Sequence, residues 1–239
     1  MLTIKNLSVN IGDKKILKSF SYTFEKGKTY VIMGPNGSGK STLASAVMGN
    51  PVYDISPASK IVFNKKDISQ MDPADRSKEG MFMTFQSPLS LSGVTVLQLL
   101  RHALSGKKEV LQIHKELMAY AKALHIPEDL LKRSLNDGFS GGERKKMEVI
   151  QMAVLDPSFI FFDEIDTGVD VDALRTISHF LKKFKTPDKT YCIITHYNRL
   201  LKYLKPDEIL VVRDGRLVKV GDSTLAKIIE KDGYAKLTE

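Results

Sequence analysis

Three apolar runs set the frame of the chain. Thr29-Tyr30-Val31-Ile32-Met33, Phe159-Ile160-Phe161-Phe162 and Tyr191-Cys192-Ile193-Ile194-Thr195 lack the alternation of a half-solvated strand and predict strands of a parallel sheet buried on both faces. Between the last two, Val171–Phe184 has helical period, so strands alternate with helices as a parallel sheet requires. Residues 2–33 read as short strands with turns at Gly12-Asp13 and Lys26-Gly27, and Ile61-Val62-Phe63 is a further strand. From Val94 to Leu135 the period changes: Val96-Leu97-Leu99-Leu100-Ala103 and Ile113-Leu117-Ala121-Leu124 predict helices. Pro127 opens a further turn or short helix, and Asn136-Asp137-Gly138 breaks it. Near the end, Ile209–Val218 reads as a hairpin around Asp214-Gly215. No segment repeats. The order of elements predicts an α/β core interrupted by a helical insertion.

Composition narrows the class without naming a function. The 239 residues are 42% hydrophobic and 27% charged, as in an ordinary globular protein, and no window resembles a membrane span. The start, Met1-Leu2-Thr3-Ile4-Lys5-Asn6, alternates like a strand and has no signal-peptide core, so a cytoplasmic location is the expectation. The single cysteine, Cys192, excludes an internal disulfide and reads as a core thiol. A net charge of +8 invites a nucleic-acid partner, but the lysines are dispersed; Lys107-Lys108, Arg144-Lys145-Lys146 and Lys182-Lys183 with Lys185 are the densest groups. A solvated lysine-rich surface accounts for them better.

The chemistry begins at Gly34-Pro35-Asn36-Gly37-Ser38-Gly39-Lys40-Ser41-Thr42, which fits the G-x-x-x-x-G-K-[ST] phosphate loop at every fixed position. The strand Thr29–Met33 precedes it, and Leu43–Met48, stopped by Gly49, reads as the helix behind it. Glycines let backbone N–H groups curl inward onto phosphate oxygens, and the helix adds the positive end of its dipole. Lys40 then reaches the β- and γ-phosphates and the Ser41 hydroxyl takes Mg²⁺. The chain is thus expected to bind a nucleoside triphosphate with Mg²⁺. Hydrolysis further needs a metal-holding carboxylate and a group that orients water. Asp163, at the tip of Phe159–Phe162, is the candidate metal ligand with Ser41, and Glu164 the candidate for the attacking water. Otherwise the two acids would merely cap the next helix. His196 ends another buried strand at the edge where ligands of parallel sheets gather, although a polar residue at a strand end needs no such role. Gln86, in Met83-Thr84-Phe85-Gln86, stands where the core gives way to the insertion; its amide can serve Mg²⁺ or water, but spacing alone does not fix this. Ser140-Gly141-Gly142, opening a helix from Glu143 onward, is a second anion site of the helix-terminus kind. Two such loops far apart on one chain suit one phosphate only if two chains meet head to tail.

Together Gly34–Ser41, Gln86, Ser140-Gly141-Gly142, Asp163-Glu164 and His196 resemble, in order and over essentially the whole chain, the motif set of the ABC-type ATPases. The resemblance implies one ABC-ATPase nucleotide-binding domain over 1–239. It would have an α/β P-loop core with an antiparallel β-subdomain (1–86 and 141–239) and a helical subdomain (87–140). It further implies a transient ATP-dependent homodimer with each ATP between one chain's phosphate loop and the other's Ser140 loop. In it Glu164 polarises water, His196 contacts the γ-phosphate, and Ser41, Gln86 and Asp163 serve the metal. The chain departs from transporter subunits after the glutamate, with Ile165-Asp166-Thr167-Gly168-Val169-Asp170 in place of Pro-Thr-x-x-Leu-Asp. Phe139 and Glu143 replace leucine and glutamine around the Ser140 loop, and Ile11 stands where an adenine-stacking aromatic is usual.

These departures, with Phe139–Lys146, Gln151-Met152-Ala153, Asp163–Leu174, Glu79–Pro88, Thr195-His196-Tyr197-Asn198-Arg199-Leu200-Leu201 and Leu204-Lys205-Pro206-Asp207, resemble the SufC branch of the family, the soluble ATPases of SUF iron–sulfur cluster assembly. That resemblance implies SufB/SufD-type scaffold partners, reshaped when two ATPase chains close on ATP. It puts the partner groove near residues 86–105, where Ser87–Val94 is an apolar, loop-like segment. The alternatives are an ATP-binding subunit of a membrane ABC transporter and an ABC ATPase acting on nucleic acid. The run Arg144-Lys145-Lys146 is also a candidate clamp that holds Glu164 or Asp166 in the isolated chain.

Overall fold

The computed structural model describes residues 1–196 and 199–234; Tyr197 and Asn198, within one of the stretches that resemble the SufC branch, lie outside them. The chain divides into two units. The first comprises Met1–Met83, Ser158–Glu164 and Thr186–Glu239, and the second Thr84–Pro157 and Ile165–Lys185.

The first unit contains two sheets. In the antiparallel sheet, β1 (Leu2–Ile11) and β2 (Lys14–Phe24) form a long hairpin through Gly12-Asp13, and β1 also pairs with β4 (Asp54–Ile55) and β5 (Lys60–Phe63), the latter joined to β6 (Lys66–Asp67). The strand order β2-β1-β5-β6 presents alternating buried positions such as Leu2, Ile4, Leu7 and Val9. The second sheet runs β11-β10-β3-β9-β8-β7, from β3 (Thr29–Met33), β7 (Met81–Thr84), β8 (Phe159–Asp163), β9 (Thr190–Ile194), β10 (Glu208–Arg213) and β11 (Arg216–Gly221). Strands β10, β3, β9 and β8 are parallel neighbours; β11 returns antiparallel through Asp214-Gly215. Every residue of β3, β8 and β9 is buried, as their uninterrupted apolar runs predict. Edge-on aromatic contacts link Tyr22, Phe24, Tyr30, Phe159, Phe161 and Phe63 and join the two sheets into one core.

Three helices belong to this unit: α1 (Lys40–Val47), α2 (Pro73–Lys78) and the C-terminal α8 (Thr224–Asp232). Helix α1 begins three residues before the Leu43 expected from periodicity. Its first turn is therefore made of the phosphate-loop residues themselves. Arg76, on α2, is 2% exposed and surrenders its guanidinium wholly to main-chain carbonyls. It donates to Met71 at 2.9 Å, Ala46 at 3.2 Å, Val47 at 2.7 Å and Ser69 at 3.0 Å. Two of these belong to the last turn of α1, whose carbonyls have no partner within the helix.

The second unit is helical: α3 (Val96–Ala103), α4 (Val110–Ala123), α5 (Glu128–Lys132), α6 (Gly141–Leu155) and α7 (Val171–Phe184). Helix α6 packs against α3, α4 and α7, and Tyr120 of α4 meets Phe180 and Phe184 of α7 edge-on. Asp170 caps α7 by accepting the Ala173 N–H at 2.7 Å. Asp163 and Glu164 are therefore not the acids that cap the following helix.

Candidate active site

Three parallel strands end side by side, and each delivers one part of the site. Strand β9 lies between β3 and β8, with Val31 opposite Ile193 and Asp163 opposite Ile194. The phosphate loop leaves the tip of β3, Asp163-Glu164 leave the tip of β8, and Thr195-His196 leave the tip of β9. The ladder continues one step past the strands, with Glu164 N–H donating to the Ile194 carbonyl at 2.9 Å and Thr195 N–H to that of Ile32 at 3.4 Å.

Gly34 through Gly39 form the loop, and Lys40, Ser41 and Thr42 begin α1. A side chain at Gly34 would place its Cβ 2.0 Å from the Val212 carbonyl oxygen of β10, so only glycine lets the two backbones approach. Gly39, the residue before α1, has φ +101°, a conformation glycine adopts without penalty, and it brings no side-chain cap. The first amides of α1 are thus left for an anion rather than for a capping oxygen. The loop is braced by Ser38 N–H on the Pro35 carbonyl at 3.2 Å and by Gly215 N–H on the Ser38 carbonyl at 3.1 Å. The Ser38 hydroxyl is buried without a hydrogen-bond partner.

Lys40 is buried, and its amine donates to the carbonyls of Gly34 and Pro35, both at 2.9 Å. Burial lowers its pKa, while the nearby charges of Glu164 and Asp163 oppose that shift. A buried ammonium held only by neutral carbonyls is a poised counter-ion for phosphate. The Ser41 hydroxyl donates to Asp163 Oδ1 at 2.9 Å, and Asp163 is itself buried. A hydroxyl and a carboxylate in contact are hard oxygen donors of the kind Mg²⁺ uses when phosphates supply its other ligands. Among the described residues no group of three His, Cys, Asp or Glu side chains forms a protein-only metal cage. The residues present therefore fit a magnesium nucleotide, with Ser41 and Asp163 able to hold the metal.

Glu164 turns the corner after β8 with φ +48°, which is strained for a side-chain-bearing residue by on the order of 1 kcal/mol. The turn aims its buried carboxylate at the His196 imidazole, and the two are hydrogen-bonded through Oε1 and Nε2. A carboxylate at the tip of the strand beside the Ser41–Asp163 pair, joined to an imidazole, can take a proton from water and hold it. The first unit thus brings together the phosphate loop, Lys40, Ser41, Asp163, Glu164 and His196.

Gln86 and Ser140-Gly141-Gly142 belong to the second unit. Gln86 is exposed in side chain but fixed in backbone. The buried Lys145 of α6 donates to the carbonyls of Phe85 at 2.6 Å and Gln86 at 3.0 Å, and Phe85 N–H donates to Glu148 Oε1 at 2.7 Å. Of the cationic run Arg144-Lys145-Lys146, Lys145 is therefore the residue that braces the Gln86 segment. Ser140 is the N-cap of α6, which starts at Gly141 rather than Glu143. Its hydroxyl accepts the Glu143 N–H at 3.3 Å, and Glu143 accepts the Ser140 N–H at 2.7 Å. A Cβ at Gly141 would lie 2.6 Å from the Gly168 carbonyl, so this glycine also serves close packing against the segment after Glu164.

On either side of Gln86 the loop exposes Phe85 by 55% and Leu89 by 69%, yet its backbone is clasped. Leu91 N–H donates to the Leu135 carbonyl at 3.0 Å, Leu135 N–H to that of Val94 at 2.8 Å, and the Asn136 amide to that of Leu89 at 2.8 Å. Periodicity gave no sign of this clasp, nor of Arg76 or Lys145, because each joins polar groups far apart in sequence or buries a charged or amide side chain on main-chain carbonyls. No helix among the described residues is long and apolar enough to cross a membrane.

The ABC transporter family matches residues 17–167. Among curated proteins, the probable ATP-dependent transporter SufC of Escherichia coli (strain K12) is 42% identical over 247 residues, covering 100% of this chain and 99% of its own length. The probable ATP-dependent transporter slr0075 of Synechocystis is 42% identical over 248 residues, with 100% and 96% covered. The chloroplastic ABC transporter I family member 6 of Arabidopsis thaliana is 38% identical, with 100% and 73% covered. Among solved structures, a nucleotide-free ATP-binding cassette from an ABC transporter superposes with a TM-score of 0.79 at 25% identity, covering 99% of this chain and 98% of its own. An ATP-binding cassette of another ABC transporter, in its ADP conformation, gives 0.77 at 27% identity, with 97% and 95% covered.

Proposed function

The chain belongs to the ABC transporter family as an ATP-binding ATPase, and from that premise we propose that it energises iron–sulfur cluster assembly on a SufB/SufD-type scaffold. The observation that carries this reading is the 42% identity over the full length to the relative named SufC, and the departure from transporter subunits after Glu164 supports it. The protein acts in the cytoplasm, and its helical subdomain corresponds to residues 87–140.

The phosphate loop amides and Lys40 would bind the nucleotide's phosphates, Ser41 and Asp163 would hold Mg²⁺, and Gln86 is a further candidate for the metal or the water; the ion would supply charge neutralisation during phosphoryl transfer. Glu164 accepts the proton of the attacking water. His196, hydrogen-bonded to Glu164, fixes that carboxylate's direction and contacts the γ-phosphate. Ser140-Gly141-Gly142 serve the nucleotide of a second chain, so turnover requires two chains closed head to tail on ATP. The exposed Phe85 and Leu89 suit the loop beside Gln86 to docking on the scaffold.

The test is recovery of partners from cells that make a tagged chain. A SufB-like protein is expected in the pull-down. Recovery of an integral-membrane permease with no such scaffold would instead assign the chain to a transporter, the second reading, which the relatives' names as ATP-dependent transporters favour.

A further inference from the structure

Helix α6 buries a pair of opposite charges among Met147, Val149 and Ile150. Lys145 and Glu148 lie one turn apart, their side chains are 4% and 6% exposed, and the ammonium stands 3.8 Å from the carboxylate. Two charges leave water at tolerable cost only where further hydrogen bonds take up their remaining donors and lone pairs. Here those bonds go to the main chain of one short segment. Lys145 Nζ donates to the carbonyls of Phe85 at 2.6 Å and Gln86 at 3.0 Å, and Glu148 Oε1 accepts the Phe85 N–H at 2.7 Å.

The geometry of these bonds is specific to Gln86. A peptide unit is planar, so holding its carbonyl holds the whole plane. The Phe85 carbonyl belongs to the plane before the Gln86 Cα and the Gln86 carbonyl to the plane after it. With both planes tied to one ammonium, the Gln86 backbone dihedrals are set, and with them the direction in which its side chain leaves the chain. The side chains of Phe85 and Gln86 are themselves exposed, so burial does not anchor the segment. The helix that does so opens with Ser140-Gly141-Gly142, and Gly141 lies about one turn before Lys145.

We propose that Lys145 and Glu148 are positioning residues for turnover: they aim Gln86 and fix it to the helix that carries the Ser140 loop. The proposal rests on the reading that Gln86 serves the metal or the water. Lys145 thus does its work on the Gln86 backbone and not as a clamp on Glu164.

The test uses the full chain without a scaffold and compares Gln86→Ala with the paired variant Lys145→Met/Glu148→Gln. The pair leaves no lone buried charge, and glutamine keeps an oxygen for the Phe85 N–H, so the fold is retained. Turnover at saturating ATP should fall about 10- to 100-fold in the paired variant, as expected when a catalytic group is misdirected. MgADP binding should stay within about twofold of the parent, because the phosphate loop belongs to the other unit. Adding Gln86→Ala to the pair should cost little beyond Gln86→Ala alone, since both act through one side chain. Hydrogen exchange should quicken at the Phe85 amide while the amides of α6 keep their protection. Normal turnover in the paired variant beside an impaired Gln86→Ala would overturn the proposal alone. So would losses that add in full, or a general loss of protection along α6, which would make the pair a packing element of the helix. Full turnover in Gln86→Ala would instead sink the reading of Gln86, and with it the pair's part in turnover.

Discussion

Replacing Arg76 by methionine should cost the chain much of its stability and leave its nucleotide affinity intact. The substitution keeps an unbranched apolar stem and removes a guanidinium that satisfies four carbonyls, those of Ala46, Val47, Met71 and Ser69. The site is closed to water, with Arg76 2% exposed, and burial already depresses its pKa, so solvent does not replace the lost donors. The Ala46 carbonyl keeps the Gly49 N–H at 3.0 Å, so three carbonyls are orphaned, and at about 1 kcal/mol each the expected loss is about 3 kcal/mol. For a chain of this size that corresponds to a fall in thermal midpoint of about 6–12 °C. Arg76→Lys should recover only part of it, because one ammonium cannot span four acceptors that a planar fork reaches. Two of the affected carbonyls, of Ala46 and Val47, lie at the C-terminal end of α1, six and seven residues and about 10 Å from Lys40. Below the unfolding transition, ATP binding should therefore match the parent chain within about twofold, since distant sites act independently. Urea unfolding monitored by circular dichroism, paired with ATP titration at low temperature, measures both halves. A loss under 1 kcal/mol would refute the reasoning that these carbonyls depend on Arg76.

Glu164→Gln should retain ATP binding, accumulate a closed dimer and lose turnover by about 10²- to 10⁴-fold; near-normal hydrolysis would remove Glu164 from its role with water. Specific ATPase activity of the isolated chain should be low and rise with protein concentration, because the proposed site takes its other half from a second chain's Ser140 loop. A fast activity independent of concentration, in a species that sediments as a monomer, would refute the shared site. Glu208 carries a pH dependence of stability: the Tyr22 phenol and then Lys28 hydrogen-bond its carboxylate and hold its pKa below the ordinary 4.5. The folded state therefore binds fewer protons than the unfolded one as pH falls through that range. The contribution is present above pH 4.5 and is lost as pH falls through the folded value. Urea midpoints between pH 3 and 6 should fall less steeply in Glu208→Gln than in the parent, and parallel curves would count against it.

What could be read from the sequence was local. The phosphate loop is one continuous segment whose glycines, lysine and serine have fixed spacing, and the bounds of β3 follow from the four apolar residues behind Thr29. The order of strand tips in space does not follow from their order in the chain, yet apolar runs ending in Asp163-Glu164 and His196 marked both as tips of buried strands. Parallel pairing on either side of β9 then made the Glu164–His196 contact. Long-range polar bonding was not legible. Arg76 lies in a polar stretch from which no element is predicted, and nothing local shows that it reaches the end of α1. Lys145 lies in a run of three cations that reads as solvated surface, and only packing of α6 reveals it as a buried brace for Gln86. Helix α8 escaped because Thr224–Asp232 is short.

The sealed thiol of Cys192 has a consequence for the chemistry assigned to the partner. It lies at the middle of β9, fully buried, and burial pushes its pKa well up, so the reactive thiolate is suppressed. If the chain acts on a cluster-assembly scaffold as proposed, it works beside sulfide, persulfide and ferrous iron, reagents that modify exposed thiolates. Its one cysteine presents no accessible thiolate to them. On that proposal a persulfide or a cysteine ligand for a nascent cluster has to come from the partner.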